Sequence, residues 1–268
     1  MAKRFRTLFI SDVHLGAKSC QAELLLEFLA RHEADTIYLV GDIIDGWRLK
    51  KNWYWPQEQN DLVQAMLARA QGGTRVVFMP GNHDEFARGY LGHKFGGIEI
   101  VDHAIHSGPD GRRYLVIHGD QFDAVVTHAR WLAKLGDWAY RATQAINARV
   151  SLVRRAMGLT YWSFSAWAKL RVKKAVNFIS DFEITLAAEA KKREAHGVIC
   201  GHIHHAVIHD MHGVSYMNCG DWVESCTALA ESHDGSFHII DWSKERQRLV
   251  VVPQPEGHRL PAREQRAA

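Results

Sequence analysis

The sequence predicts an α/β domain interrupted by a helical insertion, and three observations lead to it. Short β-rich runs close on polar, glycine-containing turns, helical patterns fall between the first of these runs, and the stretch from about 123 to 194 lacks strand alternation. Strand–helix alternation of this kind is the βαβ arrangement that builds parallel sheets. A chain of 268 residues, 47% hydrophobic and 24% charged, is long and apolar enough to bury a substantial core.

In chain order, TLFI (7–10), TIYLV (36–40) and RVVFM (75–79) read as strands. The first intervening helix lies in SCQAELLLEFLARHEA, with Ser19 as its expected N-cap and Leu24, Leu25, Phe28 and Leu29 along one face. The second, QEQNDLVQAMLARA, starts just after Pro56. Beyond Gly97 the texture becomes that of hairpins: IEIV, AIHS, a PDGR turn and RYLVIH, then GVIC, AVIH, VSYMN, CTALAE, FHII and RLVVV after residue 196. The sheet domain is thus expected at 1–122 and 195–252, the helical insertion at 123–194, and a disordered tail at 253–268.

Composition narrows the class further. The opening MAKRFRTLFISD has a four-residue apolar run, too short for a signal-peptide core or a membrane span, so a cytoplasmic protein is expected. Cys20, Cys200, Cys219 and Cys226 form no CxxC pair, which argues against a zinc ribbon and for reduced thiols. The net charge is only +3, but 126–180 holds ten Lys and Arg against one acid, Asp137, together with Trp131, Trp138, Trp162 and Trp167. Cationic and large apolar groups are interleaved there.

Five clusters carry the chemistry, each at a strand end: Asp12 and His14 in SDVHLG, Asp42 and Asp45 in GDIIDG, Asn82, His83 and Asp84 in GNHDE, His118 in HGD, and His202 and His204 in GHIHH. A single such cluster is explained by turns and helix caps. Caps give no reason for His to recur beside Gly at strand ends, whereas open α/β sheets gather ligands beyond the carboxyl ends of their strands. Nitrogen and oxygen donors without thiolate suit Mn, Fe or Zn.

This ordered set, D-x-H, GDxxD, GNHD, HGD and GHxH, resembles the motifs of the calcineurin-like metallophosphoesterase superfamily over residues 12 to 204. The resemblance implies a β-sandwich of two mixed sheets flanked by helices. It also implies two divalent ions, Mn2+ foremost with Fe or Zn as alternatives: one held by Asp12, His14, Asp42 and His204, the other by Asp42, Asn82, His118 and His202. Two ions about 3.5 to 4 Å apart can lower the pKa of a shared water and clamp phosphoryl oxygens. His83 would then face the substrate, stabilising phosphoryl charge or protonating the leaving oxygen. Asp45 resembles the carboxylate that orients this histidine; a helix or turn cap is its other reading.

Within the superfamily, FISDVHLG and an insertion after HGDQFD resemble the UDP-2,3-diacylglucosamine diphosphatases of lipid A synthesis, which release UMP and a lipid phosphate at the membrane surface. By that resemblance the insertion is a helical cap, the protein is peripheral on the cytoplasmic face of the inner membrane, and Arg171, Lys173 and Lys174 contact substrate phosphate. A cap both aromatic and basic suits acyl chains and an anionic surface. The sequence departs from that branch in one place, with His83 in GNHD where GNRD is typical, so another lipid or diphosphate substrate stays open. Two rival classes are a phosphodiesterase or nuclease acting on nucleotides or single strands, and a non-catalytic scaffold, against which the full ligand set argues.

Overall fold

The computed structural model describes residues 2–122, 179 and 182–250. Three parallel strands begin the architecture: β1 (Lys3–Ile10), β2 (His32–Val40) and β3 (Arg75–Met79). Their C-terminal halves alternate as pleated strands must. Leu8, Ile10, Ile37, Leu39 and Val76 face one side, where the helices pack, while Phe9, Tyr38, Val40, Val77 and Met79 face the other. Helix α1 (Ala22–Arg31) covers the first side with Leu25, Phe28 and Leu29, and α3 (Gln57–Gln71) adds Leu62 and Met66. Between them a short helix, α2 (Gly46–Lys51), follows β2 directly.

Further strands complete two mixed sheets: β4 (Lys94–Phe95), β5 (Ile98–Ile100), β6 (Ala104–Ser107), β7 (Arg113–Val116), β8 (Gly197–Cys200), β9 (Val207–Met211), β10 (Val214–Asn218), β11 (Thr227–Glu231) and β12 (Phe237–Asp241). The first sheet runs β12-β11-β1-β2-β3-β5-β4 and the second β6-β7-β8-β10-β9. In the second sheet β7, β8 and β10 are mutually parallel and the edge strands antiparallel. The inner core forms where Phe9, Tyr38, Val77 and Met79 meet Tyr114, Val116, Ile199 and Met217. A helix over 182–192, α4, seals the outer face of the second sheet with Phe182, Leu186 and Ala190 against Leu115, Val198 and Tyr216. The fold is the two-sheet sandwich with flanking helices that the motifs imply.

Two local expectations are corrected. The described part of RLVVV, 248–250, is not strand: residues Trp242–Val250 are a helix, α5, whose Trp242 is buried against Phe28. One buried Trp and a run of charged residues favour helix over strand from 242 to 250. Ser19 does not cap α1 either, because the helix starts later, at Ala22, with Gln21 at the N-cap position and no side-chain cap. The 123–181 part of the expected cap, apart from Ile179, and the tail at 253–268 lie outside the described residues.

Candidate metal centre

The five clusters follow the C-terminal ends of β1, β2, β3, β7 and β8, and backbone hydrogen bonds lace these ends together. Asp12 N–H donates to the Gly41 carbonyl at 3.0 Å, His14 N–H to the Asp42 carbonyl at 2.9 Å, and Gly201 N–H to the His118 carbonyl at 3.3 Å. Close approach demands glycine at two points. A Cβ on Gly41, which has φ +76°, would run into the His118 ring, and one on Gly81 would run into the Asp42 carboxylate.

Among the described residues eight non-glycine positions have left-handed φ, and five of them are Asp12, His14, Asp42, His202 and His204. Each costs about 1–3 kcal/mol unless its surroundings enforce it, so backbone strain concentrates where the ligand-type side chains converge. They converge in two main groups, Asp12 with His14 and His204, and Asp42 with His118 and His202, the ligand-type atoms in each lying within 4.8 Å of one another. Asp42 stands between the groups. Its Oδ2 is 4.0 Å from His14 Nε2, 3.5 Å from His118 Nε2 and 3.9 Å from His83 Nε2.

Outer hydrogen bonds set which nitrogen each ring presents. His118 Nδ1 lies 2.9 Å from the Val40 carbonyl and donates to it, leaving Nε2 to face Asp42. His14 Nδ1 lies 3.5 Å from Asp45 Oδ2, which turns its Nε2 inward in the same way. Asp12 spends Oδ2 on the His202 N–H at 3.0 Å and directs Oδ1 to within 3.1 Å of His204 Nε2. Four buried atoms, Asp12 Oδ1, His14 Nε2, Asn82 Oδ1 and His118 Nε2, then make no hydrogen bond. Buried polar atoms without partners are costly, and four on one centre fit divalent cations, one of which would take the place of the His118 proton. The donor set is all nitrogen and oxygen, as for Mn, Fe or Zn.

His83 sits at the rim, a quarter exposed, with Nδ1 3.1 Å from Asp45 Oδ1 and Trp47 against its ring at 4.1 Å between centroids. Asp45 serves both of its sequence readings. It accepts the Arg48 N–H at 2.9 Å as N-cap of α2 and also touches His14 and His83. His14, Asp45 and His83 form a third group of ligand-type atoms.

Charge is tightly coupled here. Burial opposes ionisation of Asp42, but His118 and His83 outweigh it and hold the carboxyl well below the usual carboxylate range. Burial likewise opposes ionisation of Asp45, and hydrogen bonds from His14, the Arg48 N–H and His83 overcome it. The His118 imidazolium is disfavoured by burial yet pushed up to about 10 by Asp42 and Asp12. A cation binding there must displace that proton.

Some contributors have no role in the sequence reading. Asp84 is fully buried and accepts N–H groups from Gly81 at 2.6 Å, Ile43 at 2.7 Å, Ile44 at 3.1 Å and Asp42 at 3.3 Å, pinning the GNHD loop to the GDIID loop. Burial and Asp42 push its carboxyl up to about 6. Asn218 holds the GHIHH loop by donating to the Gly201 carbonyl at 2.7 Å, and Arg88 ties Asp120 of HGD to the Pro80 carbonyl. Polar residues abutting glycine in GNHD and NCGD were the available signal. Arg171, Lys173 and Lys174 lie outside the described residues.

Comparison with known proteins bears on this geometry. The family model described as calcineurin-like phosphoesterase matches residues 5–206. The chain belongs to that family. It is accordingly a metal-dependent hydrolase, and its family uses divalent metals. Among its relatives is a UDP-2,3-diacylglucosamine hydrolase of Xanthomonas campestris pv. campestris, 28% identical over 85% of this chain and 96% of the relative. The enzyme of that name from Nitrosococcus oceani is 26% identical over 88% and 94%. Similar solved structures include an archaeal phosphodiesterase (TM-score 0.41, 12% identity, 87% and 98% covered) and the E. coli phosphoesterase YfcE (0.42, 13%, 88% and 98%).

Proposed function

We propose that this calcineurin-like phosphoesterase hydrolyses the diphosphate of UDP-2,3-diacylglucosamine or a related nucleotide-lipid, releasing UMP and a lipid phosphate. The observation that carries a two-cation reading is Asp42 Oδ2, poised among imidazoles of both ligand groups beside four buried, unpartnered donor atoms. Asp12, His14, Asp42 and His204 would hold one ion and Asp42, Asn82, His118 and His202 the other, Mn2+ being the leading candidate. Bound there, the ions supply an activated water and neutralise phosphoryl charge.

The chain's own residues do the rest. Asp45 fixes His83 through Nδ1, so His83 Nε2 points toward the centre as a donor to a phosphoryl oxygen or to the leaving phosphate. As the water oxygen bonds to phosphorus and the bridging P–O bond breaks, a proton from His83 Nε2 would offset the charge left on the leaving oxygen. Asp45 and the cap of α2 keep the ring from swinging away. The names of relatives aligned over most of the chain support the nucleotide-lipid choice, and Lys174 with Arg171 and Lys173 are proposed to meet the diphosphate. Such a substrate places the protein at the cytoplasmic face of the inner membrane. Among the described residues no helix is long and apolar enough to cross one.

The test is a substrate panel with Mn2+: UDP-2,3-diacylglucosamine, other nucleotide diphosphates, cyclic nucleotides and single-stranded DNA. The acylated nucleotide should exceed the rest in kcat/KM by at least about 100-fold. Preference for cyclic nucleotides or DNA would replace this reading with a phosphodiesterase.

A further inference from the structure

Beside the metal centre, two loops that each follow a ligand cluster join into one surface. The first is 16–19, after SDVHL, and the second is 46–55, the α2 helix and the NWYW run after GDIID. They are knitted: Leu49 sits directly over Gly16, where an added Cβ would strike it, and Lys18 Nζ lies over the Tyr54 ring at 5.8 Å. The surface is anchored to the centre through Asp45, which caps α2 while touching His14 and His83.

Its composition is unusual for a water-facing patch. Trp53 is 74% exposed, more than any other large hydrophobic side chain among the described residues, and it stacks on Trp55 at 6.0 Å. Lys18, Lys50 and Lys51 are exposed, and none of the three has an ion pair among the described residues. Arg48 is two-thirds exposed and occupied with Asp45. No Asp or Glu occurs in 13–22 or in 46–57, so nothing on either loop offsets the lysines.

We propose that this surface docks on an anionic lipid bilayer, with Trp53, braced by the half-buried Trp55, in the headgroup layer and Lys18, Lys50 and Lys51 against lipid phosphates. It deepens the nucleotide-lipid reading and rests on it for the choice of a bilayer as occupant. Indole rings prefer the membrane–water interface because one edge is apolar and the other donates a hydrogen bond. Each lysine close to an anionic surface is worth about a fivefold gain in partitioning. The two indoles stack on one another, which leaves no slot for a nucleobase between them; Trp55 packs on the core and the outer edge of Trp53 remains free to insert. Docked this way, the protein would hold its metal centre at headgroup height, where the diphosphate of a lipid substrate lies.

The full chain can be sedimented with vesicles of phosphatidylcholine alone and of phosphatidylcholine mixed with phosphatidylglycerol, at low and high salt. Wild type should partition to the anionic vesicles, weakly to the neutral ones, and less at high salt. The double variant K50E/K51E should lose at least about 25-fold in partitioning, and Trp53→Ala should also lose binding at both salt levels. Hydrolysis of the soluble diester bis(p-nitrophenyl) phosphate should stay within about twofold in all three proteins, which reports an intact centre. Equal sedimentation of the three proteins overturns the proposal, as does wild-type binding to single-stranded DNA through these residues without binding to vesicles. A chain that sediments but cleaves no nucleotide-lipid keeps this surface and loses the substrate reading. One that cleaves nucleotide-lipid in detergent yet ignores anionic vesicles does the reverse.

Discussion

Glu231 and Asp42 are both buried carboxylates with a histidine at hand, and the chain treats them in opposite ways. Glu231, wholly buried on β11, accepts two hydrogen bonds from Arg6 at 2.8 and 2.7 Å and one from Thr7 at 2.8 Å, with His106 of the other sheet 2.8 Å away. Burial opposes its ionisation, and His106, Thr7 and Arg6 overcome that. The positive charge it needs is built into the fold. Asp42 Oδ2 faces the imidazoles of His14, His83 and His118, and neighbouring buried polar atoms of Asp12, His14, Asn82 and His118 make no hydrogen bond. The first cluster is finished by the polypeptide and fastens two sheets; the second is left open on the side where a cation belongs.

The sharpest way to break this contrast is Asp42→Ala. Turnover should vanish and metal content fall from two ions toward one or none, read by elemental analysis beside activity. At neutral pH the metal-free variant should melt below metal-free wild type, because the buried His118 imidazolium loses the carboxylate that stabilises it. Two retained metals at near wild-type rates would mean that Asp42 does not join the groups.

Next in size is His83→Ala, which should keep both metals yet lose about 10² to 10⁴ in kcat, the range for a positioned acid or base. Metal loss would move His83 into the coordination set, where its grouping with His14 and Asp45 would then count. At the other cluster Arg6→Met should cost about 1–3 kcal/mol in stability by stranding the Glu231 carboxylate. Its metal content and rate at moderate temperature should not move. A metal-depleted Arg6→Met protein would erase the distinction between the clusters.

The smallest effect is a pH slope. The folded His118 value of about 10 stands above its ordinary 6.5, so its contribution to stability is full below 6.5 and is lost as pH rises through 10. EDTA-treated protein should therefore lose melting temperature as pH rises above about 6.5, and less so in His118→Asn. With divalent metal present the trend should invert, because metal must displace the same proton. A wild-type slope that His118→Asn leaves unchanged would place the proton elsewhere.

Much of this was legible in the chain. RVVFM fixes β3 to the residue, Pro56 marks the start of α3, and the five glycine-flanked clusters announce one site because strand ends are where such residues can meet. What escaped depended on contacts distant in sequence. Asp84 draws in N–H groups from a loop about forty residues earlier, and Asn218 reaches back to Gly201, neither of which local pattern encodes. The Glu231 cluster was invisible for the same reason, Arg6 and Glu231 being 225 residues apart. Helix α5 was misread because β-branched propensity in RLV is weak beside burial of Trp242.

The left-handed backbone at Asp12, His14, Asp42, His202 and His204 has a consequence for how this chain can change over time. Glycine would occupy any of the five with less backbone strain, so without metal that strain weighs against the ligands and is opposed only by contacts such as those Asp12 and Asp42 make to the His202 and His83 N–H groups. Drift under selection for folding alone would thus erode the centre first and spare the sandwich, leaving a sturdy but inert descendant. All five positions carry a carboxylate or an imidazole in spite of that strain.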